Sequence, residues 1–193
     1  MYTFEDMNST ELFSEERIRQ MVARLALHIA EDYSHSGRLA IIGIQPRGTI
    51  LARRLADELA RTGEIPDFNF GTLDTTFFRD DFRRREVPLQ PSVTDLSFPI
   101  ENANVLLVDD VLYTGRTIRA ALDALQAFGR PASVRFLCLI DRNYSRELPI
   151  QADYIGASLD TFSSSKVRVL WKELHDRDAV LFLDEISRQS SKE

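Results

Sequence analysis

The sequence predicts an α/β fold, a mostly parallel central sheet flanked by helices. Three short apolar runs, Leu39 to Ile44, Val105 to Val108 and Val134 to Ile140, read as buried strands. Between them stand stretches whose apolar residues recur at helical spacing. Strands that alternate with helices pair in parallel, because each helix carries the chain back to the start of the next strand.

Taken in order, Ser14-Glu15-Glu16 starts a helix with Ser14 as cap. Ile18, Met21, Val22, Leu25 and Ile29 form its apolar stripe up to Tyr33, and Gly37 breaks the pattern. Leu39 to Ile44 is the first buried strand. Pro46-Arg47-Gly48 turns the chain into a second helix, striped by Leu51, Leu55 and Leu59 and stopped at Gly63. Asp67 to Leu73 reads as a strand. From Asp74 to Glu101 the chain carries many charges and three prolines, Pro88, Pro91 and Pro99, with weak periodicity. A loop of that length inside a compact domain is usually a functional lid or disordered. After the strand Val105 to Val108, the residues Ile118, Ala121, Leu122, Leu125 and Phe128 give a third helix its apolar face, ended by Gly129 and Pro131. Val134 to Ile140 follows as a buried strand. Ala152 to Gly156, Val167 to Trp171 and Val180 to Leu183 are further strand candidates, and the tail 187–193 reads as frayed.

A chain of 193 residues with 44% apolar content suits a single domain, expected over 1–193 with a core of about 14–186 and a lid at 74–101. A net charge of −6 argues against nonspecific nucleic-acid binding as the main activity. One cysteine, Cys138, excludes an intramolecular disulfide and a cysteine-based zinc cluster, and its apolar surroundings read as a buried, inert thiol. An acidic N-terminal stretch without a basic-then-apolar block does not read as a signal peptide, and no apolar run approaches bilayer length. A cytoplasmic location is the expectation.

Parallel α/β sheets bind ligands beyond the C-terminal ends of their strands, where the strand order reverses. In a 2-1-3-4-5 order that point lies between the first and third strands, here Leu39 to Ile44 and Val105 to Val108. Their outgoing loops are Gln45-Pro46-Arg47-Gly48 and Asp109 to Thr117. The second loop is rich in chemistry. Thr114-Gly115-Arg116-Thr117 opens a helix, whose free N–H groups and partial positive charge suit a phosphate. Gly115 allows close backbone approach, and the threonines add hydroxyls. An ordinary strand-to-helix turn capped by threonine explains that stretch equally well by itself. Asp109 and Asp110 tip the balance. Two carboxylates beside a phosphate repel it unless something hydroxylated or cationic lies between, and ribose hydroxyls or Mg²⁺ meet that need.

The stretch VLLVDDVLYTGRT, Val105 to Thr117, closely resembles the phosphoribosyl-diphosphate motif of type I phosphoribosyltransferases. Its form DDVLYTGRT is similar to that of the bifunctional pyrimidine-operon attenuator/uracil phosphoribosyltransferase family. IIGIQPRGTILARRL resembles the family's first strand and pyrophosphate loop, LDTTFFRDDF the start of its lid, and LIDRNYSRELPIQADYIG its segment near the base pocket. The resemblance implies the type I fold with a flexible lid and a small hood. It implies transfer of phosphoribosyl from phosphoribosyl diphosphate to uracil, giving UMP and diphosphate, with Mg²⁺ as cofactor. It also implies homodimers or homotetramers.

Carried over by position, Asp109 and Asp110 hold the ribose hydroxyls and organise Mg²⁺, and Tyr113, Thr114, Gly115, Arg116 and Thr117 cradle the 5′-phosphate. Gln45, Pro46, Arg47 and Gly48 bind diphosphate; which peptide bond around Pro46 is cis is not legible in the sequence. Arg79 is the lid residue that reaches the diphosphate on closure, while Arg83, Arg84 and Arg85 read equally as solvated charges. Phe77, Phe78 and Phe82 either pack the closed lid or anchor it. Asp141, Arg142, Lys166 and Val167 fall at the base pocket. Asp141 either accepts a hydrogen bond from a pyrimidine N–H or forms an ion pair with Arg142. Purine-using relatives carry an acid where this chain has Tyr113, which leans the acceptor toward a pyrimidine.

RNA is the second partner the resemblance implies. RNA-binding members use a basic face built partly by the N-terminal helix. The corresponding positions here are Gln20, Ala23, Leu27 and Asp32, with Arg24 retained, Arg146 and Lys166 matching basic positions, and His28 and His35 nearby. The alternatives are therefore a UMP-sensing, RNA-binding attenuator with weak or no catalysis, or a phosphoribosyltransferase for another base.

Overall fold

The structure, a computed structural model, describes residues 9–34, 37–80, 92–161 and 165–183. His35, Phe82, Arg83, Arg84, Arg85, Pro88, Pro91 and the tail 187–193 lie outside the described residues. Its elements are β1 (Ser9–Ser14), α1 (Glu15–Tyr33), β2 (Leu39–Ile44), α2 (Gly48–Thr62), β3 (Phe68–Leu73), β4 (Asn104–Leu112), α3 (Arg116–Leu125), β5 (Ser133–Asn143), β6 (Tyr154–Asp160), β7 (Lys166–Leu170) and β8 (Ala179–Leu183).

Five strands pair in parallel in the order β3-β2-β4-β5-β6. Counted from β2, this is the 2-1-3-4-5 order the sequence predicts, and the switch point falls between β2 and β4. Strand alternation sends Leu39, Ile41, Leu106 and Val108 to one face, where they pack with Leu25, Leu51 and Leu55 of α1 and α2. Ala40, Ile42, Val105 and Leu107 go to the other face, against Ile118, Ala121 and Leu125 of α3. Each such leucine or isoleucine contributes roughly 1.5–3 kcal/mol when fully buried. Both strands of the switch point are therefore held rigidly from two sides.

Ser14 caps α1, its hydroxyl accepting from the Arg17 amide at 3.5 Å. Gly63 ends α2 in the left-handed conformation, φ 70°. Other boundaries differ from those predicted. β4 runs on to Leu112, because Asp109 to Leu112 stay in register with Cys138 to Asp141 of β5. Backbone pairing does not stop where the apolar run stops. α3 starts two residues before its first apolar residue and closes in a 3₁₀ turn, Gln126–Phe128, before Gly129. β6 begins at Tyr154 rather than Ala152.

The hood is a separate antiparallel sheet, β1-β8-β7. β1 was not legible in the sequence, since STELFS is mostly exposed and lacks a clean alternation. The hood thus includes Ser9–Ser14, residues ahead of the core expected from about 14. Arg54 of α2 fastens the hood to the core. It bonds Asp178 at 2.6 and 2.8 Å and Glu173 at 2.9 and 2.7 Å, and lies 4.7 Å above the ring of the fully buried Trp171.

The two ends of the lid segment meet. The Asp74 carboxylate accepts from the Thr76 amide at 2.8 Å on one side and the Ser92 amide at 2.7 Å on the other. Thr72 and Asp95 form an antiparallel bridge beneath. Phe77 and Phe78 are exposed, and the Phe78 carbonyl accepts from Arg119 of α3 at 3.3 Å. Among the described residues no helix is long and apolar enough to cross a membrane.

Candidate active site

The site grows from the C-terminal end of β4. Gly48 brings the other loop against it: a Cβ on Gly48 would lie 2.3 Å from the Val108 carbonyl oxygen and 2.9 Å from Asp109 Cα. Only a residue without a side chain lets the Gln45–Gly48 turn and the start of α2 sit this close to the strand end. The Gln45–Pro46 bond is cis. The Gln45 side chain faces the lid stem, donating to Thr72 Oγ1 at 3.1 Å and to the Val93 carbonyl at 2.6 Å.

Asp109 lines a cleft of about 320 Å³ together with Arg79, Tyr113, Thr114, Gly115 and Thr117. Asp110 is buried, and its Oδ2 has no hydrogen-bond partner among the described residues. The Asp110 amide donates to Asp109 Oδ1 at 2.9 Å. Burial, and then the neighbouring Asp110 charge, push Asp109 well above the usual carboxylate range. Burial also raises Asp110, opposed by the positive charge of Arg47. Arg47 thus stands where its field reaches Asp110, and the approach of Gly48 to Val108 and Asp109 brings the two switch-point loops together as expected.

Gly115 precedes α3 with φ 91°, a conformation that favours glycine, and has no side chain of its own to cap the helix. The Thr114 hydroxyl, one residue earlier, accepts from the Arg116 amide at 3.4 Å. Arg79 reaches Thr117 Oγ1 at 3.4 Å, and its charge opposes the rise at Asp109. Arg116, expected in the phosphate cradle, has its guanidinium ion-paired with Asp80 of the lid and with Glu147 at 2.6 Å.

On the base side, Asp141 is paired with Arg146 and not with Arg142. Strand alternation sends adjacent residues to opposite faces, which separates Asp141 from Arg142. Arg146 also donates to the carbonyls of Leu112, Tyr113, Arg142 and Ile150. Its guanidinium is engaged with the protein's own backbone, and Arg24, which is exposed, donates to the Gly156 carbonyl. Arg142 is buried, its guanidinium 4.1 Å from the Tyr113 ring centre. Lys166 and Val167 start β7 and do not line the phosphate cleft. The role of Arg146 as an organiser of the β4 exit was missed in the sequence. Its spacing of four from Arg142 was visible, but carbonyl partners leave no side-chain signature.

These features match known proteins along most of the chain. The phosphoribosyl transferase domain family covers residues 8–173. The bifunctional PyrR protein of Desulfosudis oleivorans is 44% identical over 174 residues, 89% of this chain and 94% of that protein. The chain belongs to the bifunctional PyrR family of phosphoribosyltransferases. The family's Synechococcus member is 40% identical over 185 residues, 96% of this chain and 100% of that protein. A hypoxanthine phosphoribosyltransferase from Staphylococcus aureus superposes with a TM-score of 0.68 over 97% of this chain and 99% of that one. At 22% identity it shares the fold. Family membership agrees with the resemblance carried by Val105 to Thr117.

Proposed function

We propose that the protein transfers the phosphoribosyl group of phosphoribosyl diphosphate to uracil, giving UMP and diphosphate. The observation that carries this is the meeting of the Gln45–Gly48 turn with the acid pair and the glycine-led start of α3 at one strand switch point. The α3 amides and threonine hydroxyls take the 5′-phosphate. Asp109 and Asp110 take the ribose hydroxyls. Arg47, with the loop backbone, takes the diphosphate, whose oxygens match the guanidinium fork.

The uracil ring nitrogen attacks C1 of the ribose as the C1–O bond to diphosphate breaks; the electron pair leaves with diphosphate, and the nitrogen's proton passes to water. Positive charge develops on the ribose ring, so the buried acids stabilise it once ionised. Arg79 and the lid exclude water that would otherwise hydrolyse the donor. Asp109 and Asp110 also fit Mg²⁺: they are hard oxygen donors, and Asp110 Oδ2 is buried without a partner among the described residues. The chemistry the ion would supply is neutralisation of the diphosphate.

Tyr113 stands where purine-using relatives carry an acid, which supports a pyrimidine acceptor. Incubation of the protein and Mg²⁺ with phosphoribosyl diphosphate and a panel of uracil, orotate, hypoxanthine and guanine is the test. UMP as the main product is expected. Nucleotide from another base alone, or from none, would overturn the reading.

A further inference from the structure

Arg116 stands first in α3 and lines the phosphate cleft. Its Nε donates to Glu147 at 2.6 Å, and its Nη1 donates to the carboxylate of Asp80 in the lid stem, 74–80. Two further contacts join the same two pieces of chain. Arg79 donates to Thr117 Oγ1 at 3.4 Å, and Arg119 donates to the Phe78 carbonyl at 3.3 Å. Three successive residues of the lid stem, Phe78, Arg79 and Asp80, therefore each meet a different residue of the first turn of α3.

Glu147 is itself tied to the phosphate turn. Its amide donates to the Thr114 carbonyl at 3.0 Å, as does that of Leu148 at 3.2 Å. One nitrogen of the Arg116 guanidinium is thus set by the frame of the site and another holds the lid stem. Arginine suits this because its donors are fixed in one plane. The same contacts leave Arg79 lining the cleft together with Asp109. Asp80 is 40% and Arg116 44% exposed. Exposed pairs of this kind are individually weak and are screened by salt. A weak contact is what a lid requires, since the donor must enter and diphosphate must leave.

We propose that Asp80 is a positioning residue: its ion pair with Arg116 latches the lid stem onto the start of α3 and so holds Arg79 over the cleft. This rests on the uracil-transfer reading and on Arg79 as the lid residue that meets the diphosphate.

Single-turnover rates of UMP formation at saturating uracil and donor test it, because they are independent of product release. Asp80→Asn should slow the step about fivefold at low salt, the scale of one exposed ion pair acting on the closed population. Asp80→Glu, which keeps the charge, should recover most of the loss. Wild type and Asp80→Asn should converge at about 1 M salt, where the Debye length falls to about 3 Å. In an Arg79→Ala background Asp80→Asn should add nothing, because it acts through Arg79. A wild-type rate in Asp80→Asn or in Arg79→Ala, a loss that salt leaves unchanged, or full additivity with Arg79→Ala would overturn the proposal. If the wild-type protein makes no nucleotide from uracil, the functional reading fails by itself, and hydrogen exchange of the ligand-free protein then decides the latch. The Phe78 amide, bonded to the Thr75 carbonyl at 3.0 Å, should exchange about fivefold faster in Asp80→Asn than in the wild type at low salt. Equal exchange in both would refute it.

Discussion

Asp109 and Asp110 are adjacent, buried and alike in charge, an arrangement that stability alone would not favour. Burial, and for Asp109 also the Asp110 charge, raise both above their unfolded values. The native state therefore holds protons that the unfolded chain has released, and stability falls as pH rises through that interval. Asp109→Asn is uncharged throughout and keeps the oxygen that accepts the Asp110 amide. It should unfold at higher urea than the wild type at neutral pH, with the gap closing below the ordinary aspartate range of about 3.9. A gap that does not vary with pH would contradict the assignment of a destabilising buried pair. Such a cost is expected where charge is kept for a ligand rather than for the fold.

At the scale of elements, the central feature is how closely the start of α2 approaches the end of β4. Gly48→Ala would place a methyl carbon 2.3 Å from the Val108 carbonyl oxygen. The loops must separate, at a cost of about 1–3 kcal/mol by the usual scale of overpacking. Thermal unfolding should show that loss, and the KM for phosphoribosyl diphosphate should rise with it. A variant with wild-type KM would mean that the two loops need not meet. This meeting was legible in the sequence because strand order and loop chemistry agreed. β2, β4 and β5 read as continuous apolar runs because both of their faces are covered. β1 escaped notice because one exposed edge strand carries little pattern. The Asp141 partner was misjudged for a physical reason: neighbouring residues on a strand point apart, so the chain returns at Arg146 to supply the cation. The acid pair and phosphate turn were legible because charge after an apolar run is unusual. The Arg142 and Arg146 contacts were not, because apart from Asp141 their partners are carbonyls, a hydroxyl and a ring.

Across the whole molecule, hood and core are separate sheets joined through packing and through Arg54. Asp178 is buried, and although burial pushes its carboxyl up, the Arg54 bonds outweigh this and hold it below the usual range. The resulting stability is present above the ordinary aspartate value and is lost as pH falls through the depressed one. Arg54→Ala leaves the buried Asp178 charge with the Lys172 amide, at 2.6 Å, as its remaining hydrogen-bond donor among the described residues. It should cost roughly 3 kcal/mol in urea unfolding near neutral pH, the scale for a buried pair losing one partner. A loss below about 0.5 kcal/mol, the scale of a surface pair, would show that packing around Trp171 alone joins the two sheets.

The rate of UMP formation by Asp110→Asn, set against the wild type with the fold checked by circular dichroism, tests the assigned site most directly. A fall of about 100-fold or more with an unchanged spectrum is expected, the scale for removing one preorganised electrostatic contact to the reacting centre. Wild-type turnover by a folded Asp110→Asn protein would contradict the assignment of phosphoribosyl transfer to this cleft.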